Sequence, residues 1–238
     1  TGLFVLEGIR SMEEALKANY SVEMIFLSSS FIKNKGLELV KQISADIEVI
    51  EIADEIFSTI SFTQTPQGVL AIARQREYTL TEILNWERNL LIVADEVQDP
   101  GNLGTIVRTA AAAGAGGLFL TRGCVDIYNP KVIRATMGGI FHLPIHFVAD
   151  KSHFINEVLN HGYQLLVADI AGKHKYYEVD FTQPLVLVIG NENRGPSADF
   201  ITHASAVVKI PLVGPVESLN ASVAAGILIY EAVRQRGL

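Results

Sequence analysis

The stretch IPLVGPVESLNASVAAGILIYEAVRQR, Ile210–Arg236, decides how this chain is read. An apolar run ends in Pro211, a Gly214-Pro215 turn follows, then Glu217, Ser218 and Asn220, and then a helix. Leu219, Val223, Gly226, Ile227, Tyr230 and Val233 recur at helical spacing, which predicts a helix over Leu219–Arg234. The polar cluster therefore sits where a strand-end loop meets a helix start. Backbone N–H groups point outward at such junctions, and α/β proteins hold ligands there. A helix cap needs one Ser or Asn. This segment supplies several polar groups behind a conformationally restricted turn.

Upstream of the tail, strands and helices alternate. Leu90–Ala94 is a continuous apolar run of the kind found in a strand buried on both faces. Gly117–Leu120, Ile145–Val148, Gln164–Ala168, Leu185–Ile189 and Val207–Ile210 read as further strands. Helices are expected at Leu103–Ala113, Pro130–Met137 and Lys151–Asn160, with Asp95–Gly101 as a loop. This alternation predicts a parallel sheet covered by helices. The chain divides near Thr79–Asn89. Before the divide lies a smaller α/β unit, with helices at Ser11–Lys17 and Lys35–Ile43. Its strands are expected at Glu23–Leu27, Ile47–Ile50 and, after the turn TQTPQG, Gly68–Ala73.

Composition sets outer limits. With 238 residues, 49% hydrophobic and 19% charged, the chain can bury a large core and is not a disordered polymer. Its longest uncharged apolar stretch, around Ala221–Tyr230, is well short of the roughly 20 residues of a membrane span. No membrane association is expected, and no signal peptide is visible at the start. The first residue is Thr1, so further residues are expected upstream. The single cysteine, Cys124, cannot pair internally and fits a reducing cytoplasm. No Cys/His cluster has metal-ligand spacing. Net charge is −7, which argues mildly against nucleic acid. The acidic excess lies mostly before Asn89, and Arg108, Lys131, Arg134 and Arg194 leave room for a local basic patch.

No GxGxxG follows the first strand of the larger unit, and neither a phosphate-binding GxxxxGK[ST] nor a GxSxG elbow occurs. Three other loops stand out, each at the C-terminal end of an expected strand. In DEVQDPGNLGTIVR, Asp95–Arg108, Asn102 is expected to cap the helix. Gly104 and Arg108 share a face, so Arg108 can lie over Gly104 and reach the loop bearing Asn102. A guanidinium near a helix N-terminus opposes the dipole and needs an anion. Asp95, Glu96 or Asp99 could supply it, and so could a bound phosphate. In VLVIGNENRGPS, Val186–Ser197, a buried strand breaks into Gly190, Glu192, Arg194 and Gly195, a tight turn where backbone can approach a ligand or an ordinary surface turn. The third loop is the tail. Together on one sheet edge, the three predict a shared site.

These loops resemble the SpoU (TrmH-like) group of RNA ribose 2′-O-methyltransferases, within the SPOUT class. N-x-G-x-x-x-R is matched by Asn102, Gly104 and Arg108. G-x-E-x-x-G is matched by Gly190, Glu192 and Gly195, and I-P-x-x-G-x-x-x-S-L-N-x-S by Ile210, Pro211, Gly214, Ser218, Leu219, Asn220 and Ser222. NPKVIRATMGGIFHLPI, Asn129–Ile145, looks like the family's linking region. Leu212 departs from the Met that many members carry, a volume-conserving change. LFVLEGIRSMEEAL and TQTPQGVLAIA look like the ribosomal-protein-L30-like domain that precedes the catalytic domain in many members.

The resemblance implies an α/β fold: a C-terminal parallel-sheet SPOUT domain closed by a trefoil knot, preceded by an L30e-like domain. The expected division is 1–78 for RNA substrate binding, 79–88 as linker and 89–238 for catalysis. A further helical segment is expected upstream of Thr1, and a homodimer through the catalytic domain. The implied reaction moves a methyl group from S-adenosylmethionine to a ribose 2′-hydroxyl in RNA. By resemblance Arg108 is the central catalytic residue, joined by Asn102, Glu192, Ser218 and Asn220. Ala168, Gly190, Asn191, Glu192, Ile210, Leu212, Ser218, Leu219 and Asn220 cradle the cofactor. Members with an L30-like domain mostly act on ribosomal RNA, which favours 23S rRNA over tRNA. A relative that kept the fold as a non-catalytic RNA-binding protein should have lost Arg108, Ser218 or Asn220, and all three are present.

Overall fold

Two sheets organise the chain in the computed structural model, which describes residues 2–36, 41 and 43–237. The smaller unit runs β1 (Leu3–Glu7), α1 (Ile9–Lys17), β2 (Val22–Ser28), a single turn α2 (Ser29–Phe31), β3 (Glu48–Ile52), α3 (Asp54–Ile60) and β4 (Val69–Arg74). Its strand order is β1-β4-β2-β3, with β4 antiparallel to both β1 and β2, and β3 parallel to β2. β1 and α3 are elements the sequence reading did not single out. The helix expected over Lys35–Ile43 falls largely outside the described residues.

The divide is itself structured. Thr79 caps α4 (Leu80–Leu84) through a reciprocal pair: its hydroxyl accepts from the Glu82 N–H, and Glu82 accepts from the Thr79 N–H. Ile83 and Leu84 then bury against the larger sheet.

That sheet is built by β5 (Leu90–Ala94), α5 (Pro100–Ala112), β6 (Gly117–Thr121), α6 (Pro130–Thr136), β7 (Ile145–Val148), α7 (Lys151–Asn160), β8 (Gln164–Ala168), β9 (His174–Lys175), β10 (Leu185–Ile189), α8 (Ala198–His203), β11 (Ala206–Lys209) and α9 (Ala221–Gln235). Every pairing is parallel, in the order β7-β6-β5-β10-β8-β11-β9. β5, β6 and β10 are buried at every position, as the apolar runs LLIVA, GLFL and LVLVI require, with Thr121 ending β6 as a buried hydroxyl. Each fully buried large side chain here, Phe119 and Phe154 among them, contributes about 1.5–3 kcal/mol.

The two units meet through an aromatic seam. Phe4 of β1 lies 4.7 Å from the Tyr128 ring, Tyr20 lies 4.9 Å from Phe141, and the Arg76 guanidinium sits 4.3 Å over Tyr20. One continuous apolar cluster crosses this seam. No helix among the described residues is long and apolar enough to cross a membrane.

Candidate active site

β5 and β10 are neighbours from which the chain departs in opposite directions. β5 leads to β6 on one side, while β10 leads past β8 to β11 on the other. Such a reversal leaves a crevice at the strands' C-terminal ends. The loops of the crevice begin side by side, with the Asp95 N–H donating to the Ile189 carbonyl at 2.8 Å.

The first loop corrects one expectation. Asp99, and not Asn102, caps α5: its carboxylate accepts from the Asn102 N–H at 2.8 Å, and Pro100 occupies the first helical position. Proline fits there because it lacks an N–H that would in any case be unpaired. The helix therefore starts inside the expected Asp95–Gly101 loop, and Asn102 lies within its first turn, buried.

Burial gives Asn102 its work. Its Nδ2 donates to Glu192 Oε1 at 2.9 Å, and its Oδ1 accepts from Asn220 Nδ2 at 2.8 Å. Glu192 also accepts from the N–H groups of Gln98 and Asp99, each at 3.2 Å. An ionised carboxylate can only accept, so it dictates which end of the Asn102 amide faces it. The other end then faces Asn220, whose own Oδ1 is left to cap α9 by accepting from the N–H groups of Ser222 and Val223. One carboxylate thus orients two amides and joins all three loops. Burial alone would raise the Glu192 pKa; the Asn102 amide and the backbone donors outweigh it and hold the carboxyl below its ordinary value. α9 starts at Ala221, two residues later than expected, because Asn220 is its cap.

Beneath this relay lies a charged cluster that sequence reasoning missed as a site component. Asp95, 1% exposed, accepts from Thr121 Oγ1 at 3.0 Å and from the Ser197 N–H at 2.7 Å, and pairs with Lys151 Nζ at 2.8 Å. Burial pushes Asp95 upward, but Lys151 and the Ser197 N–H outweigh that and hold it below the carboxylate range. A polar residue ending an apolar strand is a legible signal for Asp95. Nothing local marks Lys151, which arrives from α7.

Arg108 is exposed and has no ion-pair partner among the described residues. Asp95 and Glu96 are engaged by Lys151, and Asp99 by the cap, so the acids near it in sequence do not pair with it. Gly104 does not leave open space for Arg108. A Cβ there would stand 2.4 Å from Ala135 Cβ and 2.9 Å from the Val132 carbonyl, so the glycine is needed for α6 to pack on α5.

At Gly190 a Cβ would lie 2.1 Å from the Pro196 nitrogen, so the turn of the second loop closes only on glycine. Asn191 is buried and turned inward: its Nδ2 donates to the Glu96 carbonyl, its Oδ1 accepts from the Asn193 and Arg194 N–H groups, and its backbone bridges Gly195. It shapes the loop rather than offering free polar groups.

Ala168 ends β8 and Ile210 follows β11; both are half-buried, as are Leu212 and Leu219 of the tail loop, and Ser218 is exposed. Among the described residues, no backbone N–H from Leu212 to Leu219 donates to a protein acceptor. Half-buried aliphatic surface beside a run of unpaired backbone donors suits a ligand with an apolar-faced heterocycle and polar edges, as a nucleoside cofactor has. A small cavity between Tyr20, Arg76, Tyr78 and Tyr128 belongs to the seam and includes none of these loops.

Comparison with known proteins gives the same outline. A profile described as SpoU rRNA Methylase family matches residues 89–230, and one described as MRM3-like substrate binding domain matches residues 1–71. The 23S rRNA (guanosine(2553)-2′-O)-methyltransferase RlmP of Bacillus subtilis is 33% identical over 230 residues, covering 97% of this chain and 88% of that one. The mitochondrial rRNA methyltransferase 3 of Homo sapiens is 32% identical, covering 98% of this chain and 68% of that one. The crystal structure of the SpoU methyltransferase AviRb from Streptomyces viridochromogenes, in complex with the cofactor AdoMet, superposes with a TM-score of 0.90 at 30% identity, covering 99% of this chain and 91% of that one.

Proposed function

Because the chain belongs to the SpoU rRNA methylase family, we propose that it transfers a methyl group from S-adenosylmethionine to a ribose 2′-hydroxyl in RNA, with 23S rRNA as substrate. The observation that carries this reading is the Glu192–Asn102–Asn220 relay, which joins the three motif loops. When bound, the cofactor supplies an electrophilic methyl. Ala168, Gly190, Ile210, Leu212 and Leu219 would hold it, with Asn191 shaping their loop. Asn102, Glu192, Ser218 and Asn220 would order the ribose.

The chain's remaining task is to bring the 2′-oxygen in line with the methyl and to accommodate its loss of a proton. Alignment of two reactants contributes a large share of such a barrier. Arg108 lies on α5, the helix that carries Asn102, and has no ion-pair partner among the described residues. A guanidinium stays protonated in proteins, so it is a poor base. Its role here is to grip an RNA phosphate and stabilise negative charge developing on the 2′-oxygen.

Residues 1–78 would deliver RNA, 79–88 connect, and 89–238 catalyse. Val223 and Tyr230, 49% and 50% exposed on one face of α9 with Ile227, support a homodimer through the catalytic domain. The segment between β11 and α9 is read as the threaded part of a trefoil knot; its Asn220 reaches Asn102 at the start of α5. The cytoplasm is where such an RNA would be met.

Transfer of labelled methyl from S-adenosylmethionine into RNA lacking the modification, digested to nucleosides, tests the reaction. A labelled 2′-O-methyl nucleoside in large ribosomal RNA is expected. Label in tRNA alone would move the substrate, and absence of both label and cofactor binding would end the reading. Arg108→Lys is expected to keep part of RNA binding and lose most turnover; full activity in that variant would refute the role given to Arg108.

A further inference from the structure

Glu96 has every polar handle occupied. Its N–H donates to Thr121 Oγ1 at 3.0 Å, and its carbonyl accepts from Asn191 Nδ2 at 2.8 Å. Its carboxylate takes Lys151 Nζ at 3.0 Å on one oxygen and Arg194 Nη2 at 2.7 Å on the other. The backbone at Glu96 is left-handed, with φ +59°. Glycine would adopt that angle without strain, but glycine offers no carboxylate. Glutamate here accepts strain and gains two cations, and such strain persists only where the surroundings over-determine it.

The position of the residue gives the strain a consequence. Gln98 and Asp99, two and three residues on, donate the N–H groups that set Glu192, which orients Asn102 and through it Asn220. Of the two cations, Lys151 comes from α7, and Arg194 from the same loop as Glu192. The Arg194–Glu96 pair therefore ties the turn that donates to the loop that accepts.

We propose that the Lys151–Glu96–Arg194 clamp is a positioning device for the transfer site, holding the turn 95–99 in register with the Glu192 loop; this rests on the methyltransferase reading above. Arg194 is 66% exposed and Glu96 27%, and a pair so exposed adds little to global stability. Breaking it should therefore separate function from folding. A merely structural pair would show neither a kinetic nor a local effect.

The experiment compares wild type, Arg194→Ala and Arg194→Lys. It measures kcat, KM for RNA, thermal midpoint, and hydrogen exchange at the Gln98 and Asp99 amides. In Arg194→Ala, kcat is expected to fall on the order of 10- to 100-fold, as small misplacements do. KM for RNA and the thermal midpoint should hold, and exchange at the two amides should quicken. Arg194→Lys, which keeps the charge, should recover most of the kcat. A raised KM for RNA with unchanged kcat would overturn the clamp and make Arg194 a phosphate ligand. Unchanged kinetics with unchanged exchange would also overturn it. If the wild type transfers no methyl, the methyltransferase reading fails separately, and the exchange rates alone decide the clamp.

Discussion

Glu192 governs the site by what it cannot do. A carboxylate accepts and never donates, so the two amides that follow it in the relay have one permitted orientation each. Glu192→Gln keeps the shape and introduces a donor. The new NH₂ must oppose either the Gln98 N–H, which Oε2 accepts, or the Asp99 N–H and the Asn102 Nδ2, which Oε1 accepts. Either way a donor that the carboxylate satisfied loses its partner, and a hydrogen bond to a charged group contributes about 1.5–3 kcal/mol. The same carboxyl also has a pH signature. Glu192 and Asp95 are both held below their ordinary values, so the stability they contribute is present above about pH 4 and is lost as pH falls through and beyond that range. Chemical denaturation between pH 7 and 3 is expected to show a shallower acid slope for Glu192→Gln than for wild type, together with a large loss of methyl transfer. Equal slopes would show that Glu192 is not ionised in the way the relay requires. Its motif was visible in the chain; that it orients Asn102 was not, because the two are ninety residues apart.

At the level of elements, α5 shows both what local chemistry says and where it stops. An Ala-rich helix after a buried strand was plain. Its start was misplaced because Asn102 and Asp99 are both good caps. The choice fell to Asp99 because Pro100 suits the first helical position and because Asn102 was needed inside, against Glu192. The spacing puts Gly104 and Arg108 on one face of α5, and it is α6 that packs against Gly104. Gly104→Val is therefore expected to force α5 and α6 apart and destabilise the protein by about 1–3 kcal/mol, the usual scale of overpacking. Thermal unfolding measures it, and an unshifted midpoint would mean the helices adjust freely. Several boundaries, among them β5, β7, β8, β10 and α7, fall where the pattern of apolar residues put them.

Across the whole molecule, the seam of Phe4, Tyr20, Tyr128, Phe141 and Arg76 joins the core of the smaller unit to that of the larger. Tyr20, 7% exposed, touches both sides of it. Calorimetry of the wild type is expected to show one cooperative transition. Tyr20→Ala should cost about 3–5 kcal/mol, as truncation of a buried aromatic does, and resolve the smaller unit as a separate, earlier transition. A single, unshifted transition would show that the seam does not couple the units. By itself, the sequence determined the alternation of strands and helices, the parallel character of the larger sheet, and the three loops with their polar residues. Periodicity, unbroken apolar runs and short spacings are local properties. Only the tertiary structure decided that Asn102 is buried rather than capping, that Lys151 and Arg194 close on Glu96, and that Arg108 pairs with no acid among the described residues. Those outcomes depend on which strands become neighbours, and β5 and β10, adjacent in space, are separated by most of the chain that builds the sheet.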